Sequence, residues 1–378
     1  MKIIYTIAGT YRAAGMERVL ADKTAWLCSH GYEVMVVTTE QKGRPSAFEM
    51  DPSIRTVDLG IGYEDNNGGS FLSKLLRYPF KQFRHRKMLA SLLKREKADI
   101  VVSMFCNDES FLPKIKDGSK KVLEVHFSRF KRIQYGRKGI WALADKFRSS
   151  QDLRHISKFD RFILLTEEDK TYWGNLPNIE VIQNSIGGRA RVPSPLDSNK
   201  VIAVGRLSYQ KSIDRLIDAW KIVCDTLPSS GWRLRLVGDG EMRRELETKV
   251  QNLGLDDSVE FAGVLKDMDE VYSNASVLAL SSRYEGLPMV LLEAQAHGVP
   301  AVSFACKCGP RDVIENGKNG LLVEEGDVEG LARAIVSLIR NPSRLKEMGK
   351  AAYEDSVRWD RETIMGKWDA LFRSLDDR

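Results

Sequence analysis

Residues 281–300 read SSRYEGLPMVLLEAQAHGVP. Pro288 suits the start of a helix because it has no N–H to leave unpaired, and the closing Gly-Val-Pro suits a helix end, so the stretch predicts a helix from Pro288 to His297. Glu285 then lies in the loop before the helix, and Glu293 lies within it. Eight helical residues rise about 12 Å, so the two carboxylates can hold opposite ends of one extended ligand but cannot share a proton. This spacing argues against a paired-carboxylate hydrolase, whose acids are roughly 5 to 9 Å apart.

The start of this helix suits a phosphate group. The N–H groups of Gly286, Leu287 and Met289 lack partners within the helix and lie at the positive end of its dipole. Glu293 stands in an apolar run, where a carboxylate is costly without a partner. The stretch therefore predicts a site for a ligand with hydroxyls at both ends and phosphate between them. The alternative is that Glu285 only caps the helix and Glu293 only faces solvent.

Length and composition fit a protein of two or three domains. The chain has 378 residues, and one domain usually takes roughly 150. The first apolar run is short and is followed by Gly9, so we expect a first strand and not a signal peptide. No run approaches the roughly 20 apolar residues of a membrane span. The five cysteines are scattered and lack CxxC spacing, so we expect reduced thiols, a cytoplasmic location and no metal site.

Short apolar runs alternate with helical patterns along the whole chain. This alternation predicts an α/β fold in which helices cover a parallel sheet, and the unit is built twice. The predicted strands are Lys2–Ala8, Glu33–Thr39, Asp99–Phe105, Lys121–His126, Arg161–Thr166 and Ile179–Gln183, then Val201–Gly205, Arg233–Gly238, Val259–Gly263, Val277–Ser281, Ala301–Phe304 and Gly320–Val323. The predicted helices include Met16–His30, His85–Lys97, Ile213–Leu227, Glu241–Leu253 and Asp267–Asn274.

A segment rich in Gly and Pro separates the two series of strands and predicts a linker. We therefore expect a first domain over residues 1–186, a linker over 187–198 and a second domain over 199–355. The remaining residues, 356–378, carry apolar side chains at helical spacing and predict a packing helix.

Three strand ends carry residues suited to ligand binding. Gly15 opens a predicted helix and gives a ligand room to approach the backbone; an ordinary strand-to-helix turn is the alternative. His126 ends a predicted strand, where ligands of parallel sheets commonly bind; a buried, hydrogen-bonded histidine is the alternative. Arg206 and Lys211 follow the first strand of the second series, and a planar guanidinium with a point charge suits the two phosphates of a diphosphate. An exposed pair of cations without a ligand is the alternative.

Several motifs come in the order of a known enzyme family. They are Gly205-Arg206-Leu207 with Lys211, Val237-Gly238-Asp239-Gly240, the two acids Glu285 and Glu293, Gly309-Pro310 with Asp312-Val313-Ile314, and Asn319-Gly320-Leu321-Leu322-Val323. Together they resemble the second domain of the retaining GT-B glycosyltransferases of family 4. The resemblance covers essentially the whole chain and is most specific from residue 200 to 325. It implies two Rossmann-like parallel-sheet domains that face a central cleft, with a C-terminal helix packing back toward the first domain.

The resemblance implies roles for the candidate residues of the second domain. Arg206 and Lys211 look like the clamp on the donor diphosphate, and Glu293 looks like the ligand of the ribose. Glu285 looks like the residue that holds the hydroxyls of the donor sugar. The family's substrate-binding loop is matched here by Glu285, Gly286, Leu287 and Pro288.

In the first domain, His126 looks like the residue beside the reacting sugar, and Gly15 looks like a glycine of the donor loop. With His126, the catalytic set that the resemblance implies also includes Arg206, Lys211 and Glu285. Two positions depart from the family pattern: Ala14 replaces the first of two usual glycines, and Asn184-Ser185-Ile186 replaces Asn-Gly-Ile or Asn-Gly-Val.

The family implies a retaining hexosyltransferase that needs neither a cofactor nor a metal. The expected donor is a nucleoside diphosphate sugar, with a UDP-hexose or UDP-N-acetylhexosamine favoured. The expected acceptor is a hydroxyl of a glycan or lipid-linked glycan, as in surface polysaccharide synthesis. The alternatives are a nucleotide-sugar epimerase or hydrolase of the same fold and a non-catalytic protein that binds sugar nucleotides.

Two basic segments in the first half of the chain suggest a surface for a polyanion. Basic and apolar residues interleave from Leu72 to Lys97 and from Arg129 to Trp141. This pattern suits peripheral contact with an anionic membrane, and no recognition motif for nucleic acid accompanies it. The alternative is a solvated helix face whose apolar side packs on the sheet.

Overall fold

The computed structural model describes residues 1–12, 14–66, 71–129, 153–187 and 191–376. The chain forms two compact units. Unit 1 comprises Met1–Leu165, Lys170–Gln183 and Met365–Arg378, and unit 2 comprises Thr166–Asp169 and Asn184–Ile364. The second predicted basic segment, apart from Arg129, lies outside the described residues.

Unit 1 is built on a seven-stranded sheet in which every strand pair is parallel. The strand order is β3-β2-β1-β4-β5-β6-β7. The strands are β1 Lys2–Ile7, β2 Glu33–Thr38, β3 Arg55–Asp58, β4 Ile100–Ser103, β5 Lys120–Glu124, β6 Arg161–Leu164 and β7 Ile179–Val181. The helices are α1 Gly15–Ser29, α2 Phe71–Glu96 and α3 Glu167–Trp173, of which the first three residues of α3 belong to unit 2. The central strands are buried on both faces, as parallel sheets covered by helices require.

Two features of unit 1 differ from the prediction. Strand β3 was not predicted because its Arg-Thr-Val-Asp sequence contains one apolar residue and lies at the exposed edge of the sheet. The predicted helix from His85 to Lys97 is the second half of a longer helix, α2, which continues through Pro79.

Unit 2 is built on a six-stranded parallel sheet of order β10-β9-β8-β11-β12-β13. Its strands are β8 Lys200–Val204, β9 Arg233–Val237, β10 Val259–Gly263, β11 Val277–Leu280, β12 Ala301–Phe304 and β13 Gly320–Val323. Its helices are α4 Ile213–Thr226, α5 Arg243–Asn252, α6 Met268–Ser273, α7 Met289–Ala296, α8 Pro310–Val313, α9 Val328–Ile339 and α10 Pro342–Asp355. The prediction of two Rossmann-like parallel-sheet units is confirmed.

The C-terminal helix, α11 Arg361–Asp376, completes the core of unit 1. Trp368 and Phe372 are buried on it, and the Phe372 ring packs edge-on against Tyr32 at 6.3 Å between centroids. The Tyr32 hydroxyl donates a hydrogen bond to Asp369. The predicted packing role of this helix is confirmed. Among the described residues, no helix has both the length and the apolar character that crossing a bilayer requires.

Candidate functional site

The carboxyl ends of β8 and β9 approach so closely that a glycine is required at the end of β9. The Gly205 N–H donates to the Val237 carbonyl at 2.9 Å. A Cβ on Gly238 would lie 2.0 Å from the Gly205 carbonyl oxygen, a distance no packing allows. Both glycines also have φ values that side-chain-bearing residues rarely adopt, +147° and +133°. Substitution of either glycine would therefore move the turns that follow them.

The turn after β8 interlocks with the turn after β9. The Leu207 N–H donates to the Asp239 carbonyl at 3.0 Å, and the Met242 N–H donates to the Leu207 carbonyl at 3.0 Å. A Cβ on Gly240 would lie 2.3 Å from that same Leu207 oxygen. With Leu207 buried in this junction, its neighbour Arg206 is left exposed at the strand end.

Lys211 and Glu285, which the sequence analysis assigned separately, form an ion pair. The Lys211 Nζ lies 2.7 Å from Glu285 Oε1, and the Ser282 hydroxyl donates to the same oxygen at 2.6 Å. The Lys211 side chain lies over Gly205, where a Cβ would be 3.2 Å from its Cε. Glu285 is 7% exposed, so the lysine supplies the counterion that a buried carboxylate needs.

Backbone contacts hold the loop that carries Glu285. The Arg283 N–H donates to the Gln210 carbonyl at 2.9 Å, and the Gln210 side chain donates to the Tyr284 carbonyl at 2.9 Å. The Glu285 N–H donates to the Lys307 carbonyl at 3.1 Å. The loop is therefore tied to the lysine turn on one side and to the segment after β12 on the other.

The segment after β12 packs against the start of α7. Gly309 has φ +100°, and a Cβ there would lie 2.3 Å from Pro288 Cδ. Three residues on, Asp312 accepts hydrogen bonds from the N–H groups of Glu167 and Glu168, at 2.8 and 3.4 Å, and so caps α3. Burial raises the pKa of Asp312, against the effect of these hydrogen bonds. Contacts within unit 2 thus account for both Gly309 and Asp312 of the Gly-Pro-x-Asp motif.

Helix α7 begins one residue later than predicted, with Pro288 at its cap, and places Glu293 in its buried face. The partner that the apolar surroundings of Glu293 require is Tyr272, whose hydroxyl donates to Glu293 Oε2 at 2.7 Å. The Tyr272 ring stacks on His297, and the His297 Nδ1 lies 2.8 Å from the Glu293 carbonyl oxygen. Glu293 is therefore held in a defined orientation and is not a freely solvated acid.

Two acids with one residue between them, Asp267 and Asp269, stand at the start of α6, and structural contacts account for both. The Asp267 side chain accepts from the Glu270 N–H at 3.0 Å and caps the helix. Asp269 lies 3.3 Å from His297 Nε2 and 3.7 Å from Arg191 Nε. Among the described residues, no group of three His, Cys, Asp or Glu side chains is placed to hold a metal ion.

The candidates of unit 1 lie at the carboxyl ends of its strands. Gly15 is the first residue of α1, and a Cβ added there would meet no atom of the described part of the chain within 4 Å, so packing there does not require the glycine. His126 follows β5, and its Nε2 lies 2.9 Å from Oε1 of the buried Glu124. The same oxygen binds Lys23, a buried lysine of α1.

Sequence reasoning did not find the residues that hold these candidates in place. Ser282 lies in the quoted stretch but carries no signal of its own, because serine is common in loops. Tyr272 and Lys23 lie in predicted helices and Glu124 lies in a predicted strand, and none of the three belongs to a motif. Each meets its partner only when distant segments fold together, and a single sequence contains no record of such pairs.

Known proteins resemble this chain in sequence and in fold. Residues 188–355 match the model of glycosyl transferases group 1. The amylovoran biosynthesis glycosyltransferase AmsD of Erwinia amylovora is 29% identical over 98% of this chain and 99% of its own length. An alpha-1,4-N-acetyl-D-galactosaminyltransferase of Campylobacter jejuni, named for a diNAcBac-PP-undecaprenol substrate, is 26% identical over 97% of both chains.

Among solved structures, a variant of TarM from S. aureus in complex with Fondaparinux, alpha-GlcNAc-glycerol and UDP superposes with a TM-score of 0.77. It covers 98% of this chain and 99% of its own at 16% identity, which supports the fold. The motif order, the two parallel-sheet units and the family match agree. Residues 188–355, which contain the unit 2 sheet, thus belong to the glycosyl transferases group 1 family, and the relatives that match nearly the whole chain are named as glycosyltransferases.

Proposed function

We propose that the protein is a retaining hexosyltransferase that uses a nucleoside diphosphate sugar and works without a metal ion. The observation that carries this proposal is the Lys211–Glu285 pair, a cation and a carboxylate 2.7 Å apart at the carboxyl edge of the unit 2 sheet. The Lys211 side chain is 19% exposed, so it is not fully enclosed by the protein. Arg206 is exposed on the neighbouring turn. A diphosphate with a sugar attached is the ligand that two cations and a hydroxyl-binding carboxylate suit.

The proposed reaction breaks the bond between the anomeric carbon and the diphosphate oxygen. Negative charge grows on the leaving diphosphate, and Arg206 and Lys211 stabilise it in place of a divalent ion. An ammonium has three N–H donors, so Lys211 can contact phosphate while it keeps Glu285. The acceptor hydroxyl oxygen forms the new bond to the anomeric carbon, and the leaving phosphate takes the hydroxyl proton, so no enzyme base is needed.

The two glutamates are proposed to hold opposite parts of the donor. Glu285, which is oriented by its hydrogen bond from Ser282, accepts hydrogen bonds from hydroxyls of the hexosyl unit. Glu293 accepts from the ribose hydroxyls, and Tyr272 occupies its Oε2. The N–H groups of Gly286 and Leu287, before α7, are proposed to face the phosphates.

His126 and Gly15 of unit 1 are proposed to complete the binding of the donor. His126 acts on the reacting sugar, and the open space beside Gly15 admits the ligand close to the backbone. The glycine is otherwise unexplained, since packing within unit 1 does not require it.

UDP-hexoses and UDP-N-acetylhexosamines are the proposed donors, and a glycan or lipid-linked glycan of surface polysaccharide synthesis is the proposed acceptor. The names of the relatives support both proposals: one makes amylovoran, and another is named for a PP-undecaprenol glycan. The bound UDP of the TarM variant supports the nucleotide.

The function is tested with a panel of radiolabelled UDP- and GDP-sugars, PP-undecaprenol-linked acceptors and excess EDTA throughout. We expect transfer of label to an acceptor from a UDP-sugar, with the anomeric configuration of the donor retained in the product by NMR. Free sugar in place of transferred sugar would indicate a hydrolase, and an altered nucleotide sugar an epimerase. Transfer that is lost in EDTA and restored by Mn²⁺ would contradict metal independence.

The cation pair is tested by Arg206→Ala and Lys211→Met. Each removes a charge-assisted contact to phosphate, so we expect kcat/KM to fall by about tenfold to a hundredfold, or about 1.5 to 3 kcal/mol. Lys221→Met is the matched control, because Lys221 lies on the exposed face of α4 and pairs with Asp225. Thermal unfolding checks that Lys211→Met, which leaves Glu285 without its counterion, is folded. Activity of both site variants within twofold of wild type would contradict the assignment of Arg206 and Lys211 to the donor diphosphate.

The two glutamates are separated by calorimetric titration with UDP, which contains the ribose and diphosphate but no hexose. Glu293→Gln should weaken UDP binding by about tenfold, because it removes the charged acceptor for ribose hydroxyls. Glu285→Gln should leave UDP binding within about threefold and lower turnover instead. Tyr272→Phe controls for the orientation of Glu293 without changing a charge. If Glu285→Gln abolishes UDP binding and Glu293→Gln does not, the proposed roles of the two glutamates are reversed.

Helix α2 is proposed to attach the protein to the anionic inner face of the cytoplasmic membrane. Its buried side includes Leu89, Leu92 and Leu93, which pack in the core of unit 1. Phe80 and Phe83 do not join that core and are 70% and 67% exposed. Exposed cations flank them: Arg77, Arg84, Arg86 and Lys87. Aromatic side chains between cations suit a lipid interface, where each cation contributes about 1 kcal/mol.

Liposome co-sedimentation tests this surface. We expect binding to rise with the content of anionic lipid and to fall as salt screens the charges. Replacement of Arg84, Arg86 and Lys87 by Ser should lower binding by at least about tenfold, from the loss of three cations. The control replaces three exposed cations of unit 2, Arg333, Lys346 and Lys350, and so makes the same change in net charge. Equal sedimentation with neutral and anionic vesicles would contradict membrane attachment.

A further inference from the structure

A buried ion pair lies next to the strand end that carries His126. Lys23 of α1 and Glu124, the last residue of β5, are in direct contact, with side chains 4% and 1% exposed. Glu124 Oε1, the oxygen that contacts Lys23, is also the atom 2.9 Å from His126 Nε2. Lysine, carboxylate and imidazole thus form one continuous buried cluster within unit 1.

The C-terminal helix closes this cluster on its lysine side. The Lys23 ammonium lies 3.7 Å from the centre of the Trp368 ring, which is 1% exposed, and 6.0 Å from the Tyr5 ring. A cation over an indole face is electrostatically favourable when both are desolvated. Lys23 is therefore held between an aromatic ring and the carboxylate, with only 4% of its side chain exposed.

The charge on Glu124 is maintained by its neighbours. Burial raises the pKa of Glu124, but Lys23 and His126 outweigh burial and hold it at about 2. Burial lowers the pKa of Lys23, against the effect of Glu124. The carboxylate beside His126 is thus ionised across the physiological pH range.

Stability alone does not explain why the core of unit 1 contains this pair. A buried ion pair is often no more stabilising than apolar residues of the same volume, because desolvation offsets the attraction. The second oxygen of Glu124, Oε2, is also buried and has no hydrogen-bond partner among the residues that the structure describes. His126 Nε2 is close to Oε1 but not aligned with it for a hydrogen bond, and such contacts commonly tighten only when the substrate binds.

We infer that Glu124 is a positioning residue for His126 and that Lys23, braced by Trp368, keeps Glu124 in place. The carboxylate selects the tautomer with hydrogen on Nε2, so that Nδ1 is the unprotonated nitrogen. This inference rests on the proposed function for the role of His126 in turnover, but not for the tautomer itself.

Two double variants separate positioning from structural support. Lys23→Met with Glu124→Gln and Lys23→Met with Glu124→Leu both remove the charges and keep the volume. They differ in one property: the amide oxygen of Gln can accept a hydrogen bond from His126, whereas Leu cannot. Both replace the pair by neutral groups, so neither leaves an unpaired buried charge.

The first readout is the tautomer of His126, measured by NMR on protein labelled with ¹⁵N in histidine and assigned with His126→Gln. We expect the Nε2–H tautomer in the wild type and in the Gln variant, and a mixture of tautomers in the Leu variant. A mixture in the wild type, or the same tautomer in the Leu variant, would overturn the inference. This readout needs neither donor nor acceptor, so it stands even if no glycosyl transfer is found.

The second readout is turnover. We expect the Leu variant to lose about tenfold in kcat at a donor KM within about twofold of wild type, and the Gln variant to recover most of it. Equal kcat in the two variants at equal stability would show a structural role only. His126→Ala with full activity would contradict the proposed role of His126 and leave the tautomer result to decide the inference.

The matched control is a second buried ion pair at the opposite end of the same strand. Lys121 contacts Asp117, with side chains 5% and 1% exposed. Lys121→Met with Asp117→Asn should change thermal stability but neither the His126 tautomer nor kcat. An altered tautomer in this control would indicate general disturbance of β5 and would count against a specific role of Glu124.

Discussion

The contact between Gly205 and Gly238 is the constraint on which the unit 2 site depends. The two strand ends meet backbone to backbone, and a Cβ on Gly238 would lie 2.0 Å from the Gly205 carbonyl oxygen. Because β8 and β9 converge there, the turns after them interlock through Leu207, which leaves Arg206 exposed. The absence of a side chain on Gly205 also makes room for the stem of Lys211, which crosses it to reach Glu285. A glycine contact in the backbone thus determines where both cations lie.

The sequence predicted the strands and helices of this fold better than it predicted which side chains contact one another. Every strand with a continuous apolar run was found, because burial on both faces of a parallel sheet requires such runs. Edge strand β3 was missed because an exposed edge imposes no such requirement. The two glutamates were identified from their spacing in one stretch, whereas the pairing of Glu285 with Lys211 joins residues 74 positions apart.

The sequence indicated that Glu293 needs a hydrogen-bond partner, although it did not indicate which residue that partner is. An acid in the apolar run of α7 is costly unless something pairs with it. On the sequence alone that cost favoured a bound ligand as the partner of Glu293, and the structure supplies a partner within the protein, the Tyr272 hydroxyl. Which donor satisfies a buried acceptor depends on the packing of α6 against α7, and helical periodicity does not encode such a contact. The sequence can therefore indicate which chemical groups a site contains, whereas the contacts between those groups become clear only from the structure.

Glu285 and Glu124, which are both buried and both paired with a lysine, differ in one respect that bears on function. Glu285 and Lys211 are 8% and 19% exposed at their side chains, whereas Glu124 and Lys23 are 1% and 4% exposed. A partly exposed ammonium can exchange some of its contacts for those of an incoming phosphate at little desolvation cost. An ammonium enclosed by Trp368 cannot, because leaving the carboxylate would strand two charges in the core. The first pair is thus suited to bind and release a ligand, and the second to hold a neighbouring side chain in one arrangement through many cycles.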